Sequence, residues 1–451
     1  KNTAHEVTVI RALAPQSITR NAKGYLLDFG ENLSGWVRLK GSAPSGTQIA
    51  MRHGERVTDG VLDLTRLETF SKWVEFQTNR YTFAGEGVEE WRPSFTYQGF
   101  RYAQVEGWPD GLPLPEFTAE VVHTKLTQKA FLTSPNHTLN RLEDMTVKAT
   151  LANFVYFLTD CPHREKNGWT GDAACSCEQV LIHFDPLASF RMWLKDVRDC
   201  QLPDGQLPGI VPTDTWGYGA CAGPAWDQAL PVLCWYSYVH TGCKEILLEN
   251  ADALRQYLVY LKNKRNERGL CTYPLGDWCS PLQPPGQPYP KCPLEVSFCI
   301  CSYKFALLCA KIAKVIEDEQ LLQQARQEAD TSKKAFYSHL FDAASGTVQG
   351  ASQTGQAMAL YYGILDQEDR PAALARLLDF IHDADDHLDT GILGTGPMLF
   401  TLSQEGYSEL AWSMIDNKTF PSYRVMVDAG ATTLWENFEG TESLNHHFFS
   451  E

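Results

Sequence analysis

The residues best suited to chemistry lie in one thirteen-residue loop at 160–172, Asp-Cys-Pro-His-Arg-Glu-Lys-Asn-Gly-Trp-Thr-Gly-Asp. The loop combines three carboxylates with an arginine, a histidine and a tryptophan. Pro162, Gly168 and Gly171 exclude a continuous helix or strand, and the strongly apolar run 151–158 precedes them. A loop held between buried elements presents its side chains in fixed geometry. We therefore predict a functional site here, rather than a solvated polar turn.

Glu165 is the candidate general acid of this loop. A carboxyl group that donates a proton near neutral pH needs its pKa raised by burial or by neighbouring negative charge. Asp160 and Asp172 could act in this direction, whereas the adjacent Arg164 would act in the opposite one. The loop therefore contains a possible acid together with groups that could adjust it.

Glu436 is the candidate general base, which would take a proton from a water molecule. It follows the small-residue run 429–433, where the backbone can approach closely, and it adjoins Trp435. The local sequence also allows Glu436 to be an exposed loop carboxylate, like Glu439 or Glu442. Both alternatives remain open at this point.

Three motifs resemble those of the inverting α-L-rhamnosidases, glycoside hydrolase family 78. The first is the loop 160–172, which is similar to that family's signature Asp-Cys-Pro-X-Arg-Glu-X-X-Gly-Trp-Thr-Gly-Asp. The others are Gly-Ala-Thr-Thr-Leu-Trp-Glu at 430–436 and Ser-Leu-Asn-His at 443–446. They occur in the family's order, far apart in sequence. The resemblance implies hydrolysis of a terminal α-L-rhamnosyl unit with inversion of configuration.

The resemblance also implies roles for individual residues. In the family, the glutamate four residues before the loop tryptophan is the acid, which implies Glu165, and Thr-Thr-Leu-Trp-Glu is the general-base motif, which implies Glu436. Charged side chains would bond the sugar hydroxyls, and flat aromatic faces would pack against the ring and its C5 methyl group. We assign no cofactor and no metal. The residues expected to bind substrate are Asp160, Arg164, Trp169, Asp172, Trp226, Trp278 and His446.

Several other prominent residues have a structural interpretation. Trp193 and Trp412 lie on helical faces typical of core residues, and His163 is expected to pack within its loop. His447 stands where the family more usually has an aromatic residue. The proline-rich stretch 281–293 predicts a rigid loop that could also border the site.

Residues 1–125 are predicted to form a β-sandwich. Short alternating runs are separated there by Gly, Pro, Asn and Ser. Two segments, 28–36 and 95–102, are similar to the β domain that precedes the catalytic domain in the family, and we place no chemistry in them. The predicted strands include 25–29, 36–40, 48–52, 72–78 and 100–106.

Residues 126–451 are predicted to form an (α/α)6 barrel, because helical patterns recur there in pairs joined by short loops. Ser134 is expected to cap the first helix. The family has a twelfth helix after 443–446, where this sequence ends, so we expect a chain without that helix, the C-terminal β domain and the upstream modules. The predicted pairs are 173–184 with 187–200, 226–241 with 247–265, 294–315 with 319–340, 355–363 with 371–382, and 397–404 with 407–416.

Composition narrows the class of partner. Lys+Arg 39 against Asp+Glu 55 gives a net charge of −16, which argues against nucleic acid and anionic membrane surfaces. We also expect no apolar run long enough to span a bilayer. The thirteen cysteines lie between Cys161 and Cys309 without paired zinc-type motifs, so we expect reduced, buried thiols. This favours a cytoplasmic location, with secretion possible if the start of a precursor is absent; a homo-oligomer remains possible.

Two alternatives to an α-L-rhamnosidase stay open. One is another glycosidase or a lyase on the same barrel, since such barrels support many activities. The other is a non-catalytic glycan-binding protein, which the presence of both Glu165 and Glu436 disfavours. The preference for aglycone and linkage depends on loops at the mouth of the barrel and is not predicted.

Overall fold

A computed structural model describes residues 4–68, 75–213, 217–281 and 291–450. Strands dominate its first part and helices its second. The N-terminal strands are β1 (Val7–Leu13), β2 (Ser17–Asn21), β3 (Gly24–Gly41), β4 (Gln48–Gly54), β5 (Arg56–Thr58), β6 (Val61–Asp63), β7 (Thr78–Thr82), β8 (Glu89–Trp91), β9 (Gln98–Glu106) and β10 (Glu116–Thr124), with a one-turn helix α1 (Thr65–Glu68).

Strand β3 organises the β-sandwich because it changes neighbours along its 18 residues. Its first half pairs with β2 and its second half with β10 and β8, while β9 pairs with parts of both halves, always antiparallel. The register with β9 shifts between Asp28 and Leu33. Such an irregularity bends a strand and redirects its side chains. Asn32 lies in this stretch and bonds to the helical domain. Side chains of β3 such as Leu27 and Val37 are fully buried in the core of this domain.

The second part of the chain is built from helical hairpins. Its helices are α2 (His137–Ala152), α3 (Thr170–His183), α4 (Leu187–Asp199), α5 (Pro224–Asp227), α6 (Ala229–Thr241), α7 (Glu245–Lys264), α8 (Leu294–Ile316), α9 (Glu319–His339), α10 (Gln353–Tyr361), α11 (Arg370–Asp383), α12 (Thr395–Gln404), α13 (Ser408–Ile415) and α14 (Tyr423–Asp428). Short strand pairs join some of them, namely β11 (Thr127–Gln128) with β14 (Phe184–Asp185), β12 (Phe154–Val155) with β13 (Phe157–Leu158), and β15 (Phe341–Asp342) with β16 (Thr347–Val348).

The helices form an inner and an outer layer. Helices α3, α6, α8, α10 and α12 contact one another in that order, and α4, α7, α9, α11 and α13 pack behind them. Inner helices are buried on most sides; α10 buries nearly its whole length, whereas α11 buries Ala373, Leu377 and Ile381. A helix that is apolar all round belongs inside, and one with a single apolar stripe belongs outside. The predicted fold class, a β-sandwich followed by a helical hairpin barrel, is confirmed.

The predicted helix limits agree with the structure to within three residues, apart from one break. The pattern at 226–241 is two helices, α5 and α6. Ser134 is not the first cap: the side chain of Asn136 accepts the Leu139 N–H, and Ser134 Oγ accepts the Asn136 N–H. Ser134 and Asn136 both have side chains that can cap a helix, and Asn136 is the one that lies directly before it. Helix α14 was not predicted, because six residues are too few for a periodic pattern.

Some predictions made from the sequence about strands and core residues need correction. The runs 25–29 and 36–40 are parts of the single strand β3. Of the predicted strand 72–78, residues 72–74 lie outside the described part of the chain, 75–77 form a turn, and β7 begins at Thr78. Trp193 is core, with 1% of its surface exposed, but Trp412 is only partly buried on an outer helix. Residues 282–290 of the proline-rich stretch lie outside the described residues.

One helix contradicts the expectation about apolar runs. Among the described residues, α8 is long and apolar enough to cross a membrane by length and composition. Most of α8 is buried inside the helical domain, and core helices of soluble domains commonly have this length and composition. Its apolar residues, including Phe298 and Phe305, pack against neighbouring helices. Its composition is explained by this position in the inner layer.

Candidate active site

The loop 160–172 connects β13 to the start of α3 and is closed by its own hydrogen bonds. The Asp160 N–H donates to the Asn167 carbonyl at 3.0 Å, and the Asn167 N–H donates to Asp160 Oδ1 at 2.8 Å. Trp169 Nε1 donates to Glu165 Oε2 at 2.9 Å. The candidate acid is thus held by a residue of the same loop. Asp160 closes the loop in addition to lining the site, a role that sequence reasoning did not include.

The start of α3 places Asp172 beside an indole. Asp172 lies in the first turn of α3, and Trp226 of α5 packs on Gly171. A Cβ atom at Gly171 would stand 2.7–2.8 Å from the Trp226 indole, so a larger residue would displace the ring. The glycine therefore allows the indole to lie directly against the loop.

A second loop, residues 429–446, carries Glu436 and His446; we call it the base loop. The Glu436 N–H donates to the Ser443 carbonyl at 2.9 Å, and the His446 N–H donates to the Leu434 carbonyl at 2.9 Å. These bonds fold the loop back on itself. As a result, two residues that are ten apart in sequence both line the site.

Arg164 connects the two loops. Its guanidinium donates to Glu436 Oε2 at 2.6 Å and to Glu442 Oε2 at 2.8 Å. Glu436 Oε2 also accepts the Ser443 N–H at 3.1 Å. Glu442, an alternative candidate for the base, is therefore paired with the same guanidinium.

The two loops enclose a cavity of about 640 Å³. All nine residues predicted for the site line it: Asp160, Arg164, Glu165, Trp169, Asp172, Trp226, Trp278, Glu436 and His446. Trp278 is 44% exposed and stands at the mouth. Further residues line the cavity that the sequence did not single out for binding, namely Leu275, Asp277, Cys279, Ser280, Ile392, Asn437, Glu439, Glu442 and Phe448.

Burial dominates the electrostatics of the cavity. It raises the pKa of Glu436 to about 7, against the opposing effect of the Arg164 charge. It raises the pKa of Asp160 and of Asp172 well above the usual range, and neighbouring carboxylates add to both shifts. Desolvation lowers the pKa of His446 well below its usual value. Burial therefore favours the neutral forms of both aspartates and of the imidazole.

Asp277 is a buried carboxylate whose role sequence reasoning missed. Its oxygens accept the N–H groups of Gly391, Leu393 and Gly394 at 2.8, 2.8 and 3.2 Å, and the Thr354 hydroxyl. These bonds fix the loop that presents Ile392 to the cavity. The only signal in the sequence was a charged residue between Gly276 and Trp278.

Two histidines near the site have structural contacts. His163 is buried, with Nδ1 at 3.4 Å from Ser443 Oγ and Nε2 at 3.5 Å from Glu55. His447 Nε2 lies 2.8 Å from the Thr159 carbonyl, and its Nδ1 faces Ser176 Oγ. Among the residues that the structure describes, no group of three or more His, Cys, Asp or Glu side chains is placed to hold a metal ion.

Two family models match the chain. The bacterial alpha-L-rhamnosidase six-hairpin glycosidase domain matches residues 127–451, and the bacterial alpha-L-rhamnosidase concanavalin-like domain matches residues 18–123. The chain belongs to the bacterial α-L-rhamnosidase family. The resemblance inferred from the three motifs is thereby confirmed.

Individual members of the bacterial α-L-rhamnosidase family resemble the chain along nearly its whole length. It is 28% identical over 443 residues to an alpha-L-rhamnosidase of Streptomyces avermitilis, covering 97% of this chain and 41% of that protein. It is also 28% identical over 458 residues to one of Formosa agariphila, covering 97% of this chain and 48% of that protein. The chain thus spans about half the length of the curated relatives that it matches.

Solved α-L-rhamnosidase structures share the fold. The alpha-L-rhamnosidase from Dictyoglumus thermophilum superposes with a TM-score of 0.91 at 31% identity, covering 99% of this chain and 51% of that one. The Streptomyces avermitilis enzyme complexed with L-rhamnose superposes with a TM-score of 0.90 at 27% identity, covering 99% of this chain and 43% of that one.

Proposed function

We propose that the chain hydrolyses terminal α-L-rhamnosides with inversion of configuration. The observation that carries the proposal is the placement of Glu165 and Glu436 on two different loops of one cavity. An inverting glycosidase needs two such carboxyl groups, one to protonate the leaving oxygen and one to activate water on the opposite face of the sugar. The names of the relatives support rhamnose as the sugar that is released.

Glu165 is the proposed acid. It is partly buried, and Trp169 Nε1 occupies its Oε2. Oε1 is then the oxygen that would carry the proton to the glycosidic bond. The Trp169 indole keeps the carboxyl group in one orientation, which general acid catalysis requires.

Glu436 is the proposed base. Its Oε2 accepts from both Arg164 and the Ser443 N–H, so Oε1 would receive the proton of the attacking water. A pKa of about 7 makes Glu436 a stronger base than an ordinary glutamate, while the guanidinium favours its ionised form. We expect about 6.5–9.5 Å between the two carboxyl groups, which leaves room for the water.

The rest of the cavity suits a neutral deoxy sugar. In the neutral form that burial favours, the carboxyl groups of Asp160 and Asp172 can donate hydrogen bonds as well as accept them. His446 Nδ1 and Trp226 Nε1 have no hydrogen-bond partner within the described part of the chain, so both are available to sugar hydroxyls. Apolar lining residues, among them Ile392, could cover the C5 methyl group.

An aryl α-L-rhamnoside tests the proposal directly. We expect the folded chain to release L-rhamnose, and proton NMR at early times should show the β anomer first. The matched aryl β-L-rhamnoside should be inert. An α anomer formed first would contradict inversion. Binding of L-rhamnose by a well-folded chain that releases none from any rhamnoside would favour a glycan-binding protein instead.

We also propose that the chain works in a reducing compartment. In support, all thirteen cysteines are unpaired, and ten of them are buried. Buried thiols with a pKa raised by desolvation, such as Cys309, are poorly reactive and serve as small apolar residues. Thiol titration of the denatured protein from its native source should find all of them free, and paired cysteines would contradict the proposal.

A further inference from the structure

The β-sandwich touches both catalytic loops through the two segments that resembled the family's β domain, 28–36 and 95–102. The segments are bound to each other, because Arg101 donates to both oxygens of Asp28 at 2.9 and 3.0 Å. They therefore form one surface of the sandwich. We call it the docking edge, together with Glu55, which follows β4, and Arg56, which begins β5.

The first segment holds the base loop through Asn32. The Asn32 backbone N–H donates to Thr432 Oγ1 at 2.9 Å. Its side-chain Nδ2 donates to Thr433 Oγ1 at 3.2 Å and to the Leu444 carbonyl at 3.1 Å. Thr433 and Leu444 stand on the two arms of the base loop, on either side of Glu436. One buried amide thus spans the loop.

Two further residues of the docking edge bond the same loop. Glu55 Oε2 accepts the Leu444 N–H at 2.9 Å, and Arg56 donates to the Glu442 carbonyl at 2.6 Å. Glu55 is itself buried. With the bonds of Asn32, five hydrogen bonds join the sandwich to the base loop, three to its backbone and two to threonine hydroxyls.

The second segment holds the loop of the proposed acid. Gly99 faces the backbone of that loop so closely that a Cβ atom would stand 2.5 Å from the Pro162 carbonyl carbon and 2.6 Å from the His163 nitrogen. Lys166, next to Glu165, donates to the Tyr97 carbonyl at 2.6 Å. Contact at Gly99 is backbone against backbone, so neither side can yield by rotating a side chain.

We propose that the docking edge positions both carboxyl groups, with Asn32 and Glu55 acting on Glu436 and Gly99 acting on Glu165. The inference rests on the proposed function of these two glutamates. The residues of the docking edge are positioning residues, since they act through the loops. A displacement of about 1 Å at a reacting group can cost about 10²-fold in rate. The docking edge therefore positions the catalytic loops, whereas the rest of the sandwich does not touch them through these bonds.

Asn32→Asp tests the hold on the base loop, because a carboxylate cannot donate to the Leu444 carbonyl. We expect kcat to fall about 10–100-fold, by the same factor for natural rhamnosides and for aryl rhamnosides with acidic leaving groups. Water activation is needed whatever the leaving group. Asn21→Asp is the matched control: Asn21 Nδ2 donates to Gly60 and Gln104, both within the sandwich, and its kcat should not change.

Glu55 gives a second test of the base loop in case Asn32→Asp does not fold. Glu55→Gln keeps an oxygen that can accept the Leu444 N–H and should retain most of the activity. Glu55→Ala removes the acceptor and should lose activity equally on both substrate types. Equal activities of the two variants would contradict a positioning role.

Gly99→Ala tests the hold on the acid loop. The added methyl group should displace Glu165, so natural rhamnosides should lose more than aryl rhamnosides, which need less protonation. Gly41→Ala is the matched control, because its Cβ would crowd Pro115 at 2.8 Å inside the sandwich. It should leave the ratio of the two substrate activities unchanged.

The outcomes separate this inference from the proposed function. If the unaltered chain and the control variants release no rhamnose, the proposed function fails and the inference fails with it. If they are active, two results would overturn the inference while leaving the proposed function intact. One is an unchanged kcat in Asn32→Asp and Gly99→Ala; the other is that both variants lose natural and aryl rhamnoside activity in the same ratio. Opposite patterns, with equal losses for Asn32→Asp and unequal losses for Gly99→Ala, support it.

Discussion

The two loops of the cavity hold their glutamates in different ways. Glu165 is bonded by Trp169, four residues further along the same loop. Glu436 is bonded by Arg164, which is 272 residues away in sequence. The hydrogen bond to the carboxyl group of the proposed acid is therefore local in sequence, whereas the ion pair of the proposed base joins distant parts of the chain.

Arg164 links the acid loop to the proposed base. It neighbours Glu165 in sequence, yet its guanidinium points to the base loop and bonds Glu436 and Glu442. The positive charge of the acid loop thus favours the ionised base across the cavity. A local motif can specify an acid, but a base of this kind exists only once the two loops meet.

The largest effect should follow from Glu436→Ala. Loss of the base should lower activity towards the upper end of about 10²–10⁴-fold, equally for activated and natural rhamnosides. The truncation opens space where water attacks, so azide, which needs no deprotonation, should yield the β-rhamnosyl azide. An α azide would contradict the assignment. Glu409→Ala, at an exposed position of α13 that does not line the cavity, is the control and should stay near full activity.

Glu165→Gln should affect natural and activated rhamnosides unequally, in contrast to Glu436→Ala. Natural rhamnosides should slow by about 10²–10⁴-fold, and aryl rhamnosides with acidic leaving groups should lose less, because their departure needs less protonation. Rates across a series of leaving groups measure this. Equal losses along the series would show that Glu165 is not the acid, and the contrast between a locally bonded acid and a distantly bonded base would then no longer hold.

Glu442→Gln should have a smaller effect, within about tenfold of full activity, as expected for a partly exposed charge partner. The negative charge of Glu442 raises the pKa of Glu436, and its loss should lower that pKa. The base must be ionised, so the acid limb of kcat/KM, expected near pH 7 in the unaltered chain, should move to lower pH. A limb that stays or moves upward would show that the charge of Glu442 does not raise the pKa of Glu436.

The smallest effect should follow from Asp227→Asn, which changes how stability depends on pH. Asp227 is a buried carboxyl group outside the cavity. Burial raises the pKa of Asp227 to about 8 from the ordinary 3.8, so between these values the folded state keeps a proton that the unfolded state releases. The contribution of Asp227 to stability should therefore fall as pH rises from 6.5 to 8, by up to about 1.4 kcal/mol per pH unit. Asp227→Asn should flatten the slope of Tm against pH.

Comparison of the unaltered chain with Asp227→Asn separates this contribution from that of the buried histidines. Desolvation lowers the pKa of His53 and of His447 from 6.5 to about 4, so near pH 6.5 the unfolded state binds protons that the folded state does not, and this part of the stability rises with pH in both chains. Glu436 and Glu55, with pKa values raised to about 7, act in the same direction as Asp227 at the lower end of the window, again in both chains. Asp199→Asn, at an exposed position, is the control and should leave the slope as it is.

Elements that depend on local patterns could be predicted from the sequence. The inner helices are apolar all round and the outer ones have a single stripe, so the limits of α8 and α9 follow closely from periodicity. The loop 160–172 could be placed for the same reason, because proline and glycine act on the backbone next to them. The residues of the candidate site were suggested by spacing and family resemblance, and the structure brings them to one cavity.

The tertiary structure alone decided which partners these residues meet. Nothing in the neighbourhood of Asn32, Glu55 or Asp277 indicates the loops that they bond, since each partner lies more than a hundred residues away. Local propensities act over a few residues, whereas the direction of a buried side chain depends on how whole domains pack. The sequence by itself therefore determined the elements and the chemical groups, and the packing of the sandwich on the barrel decided their geometry.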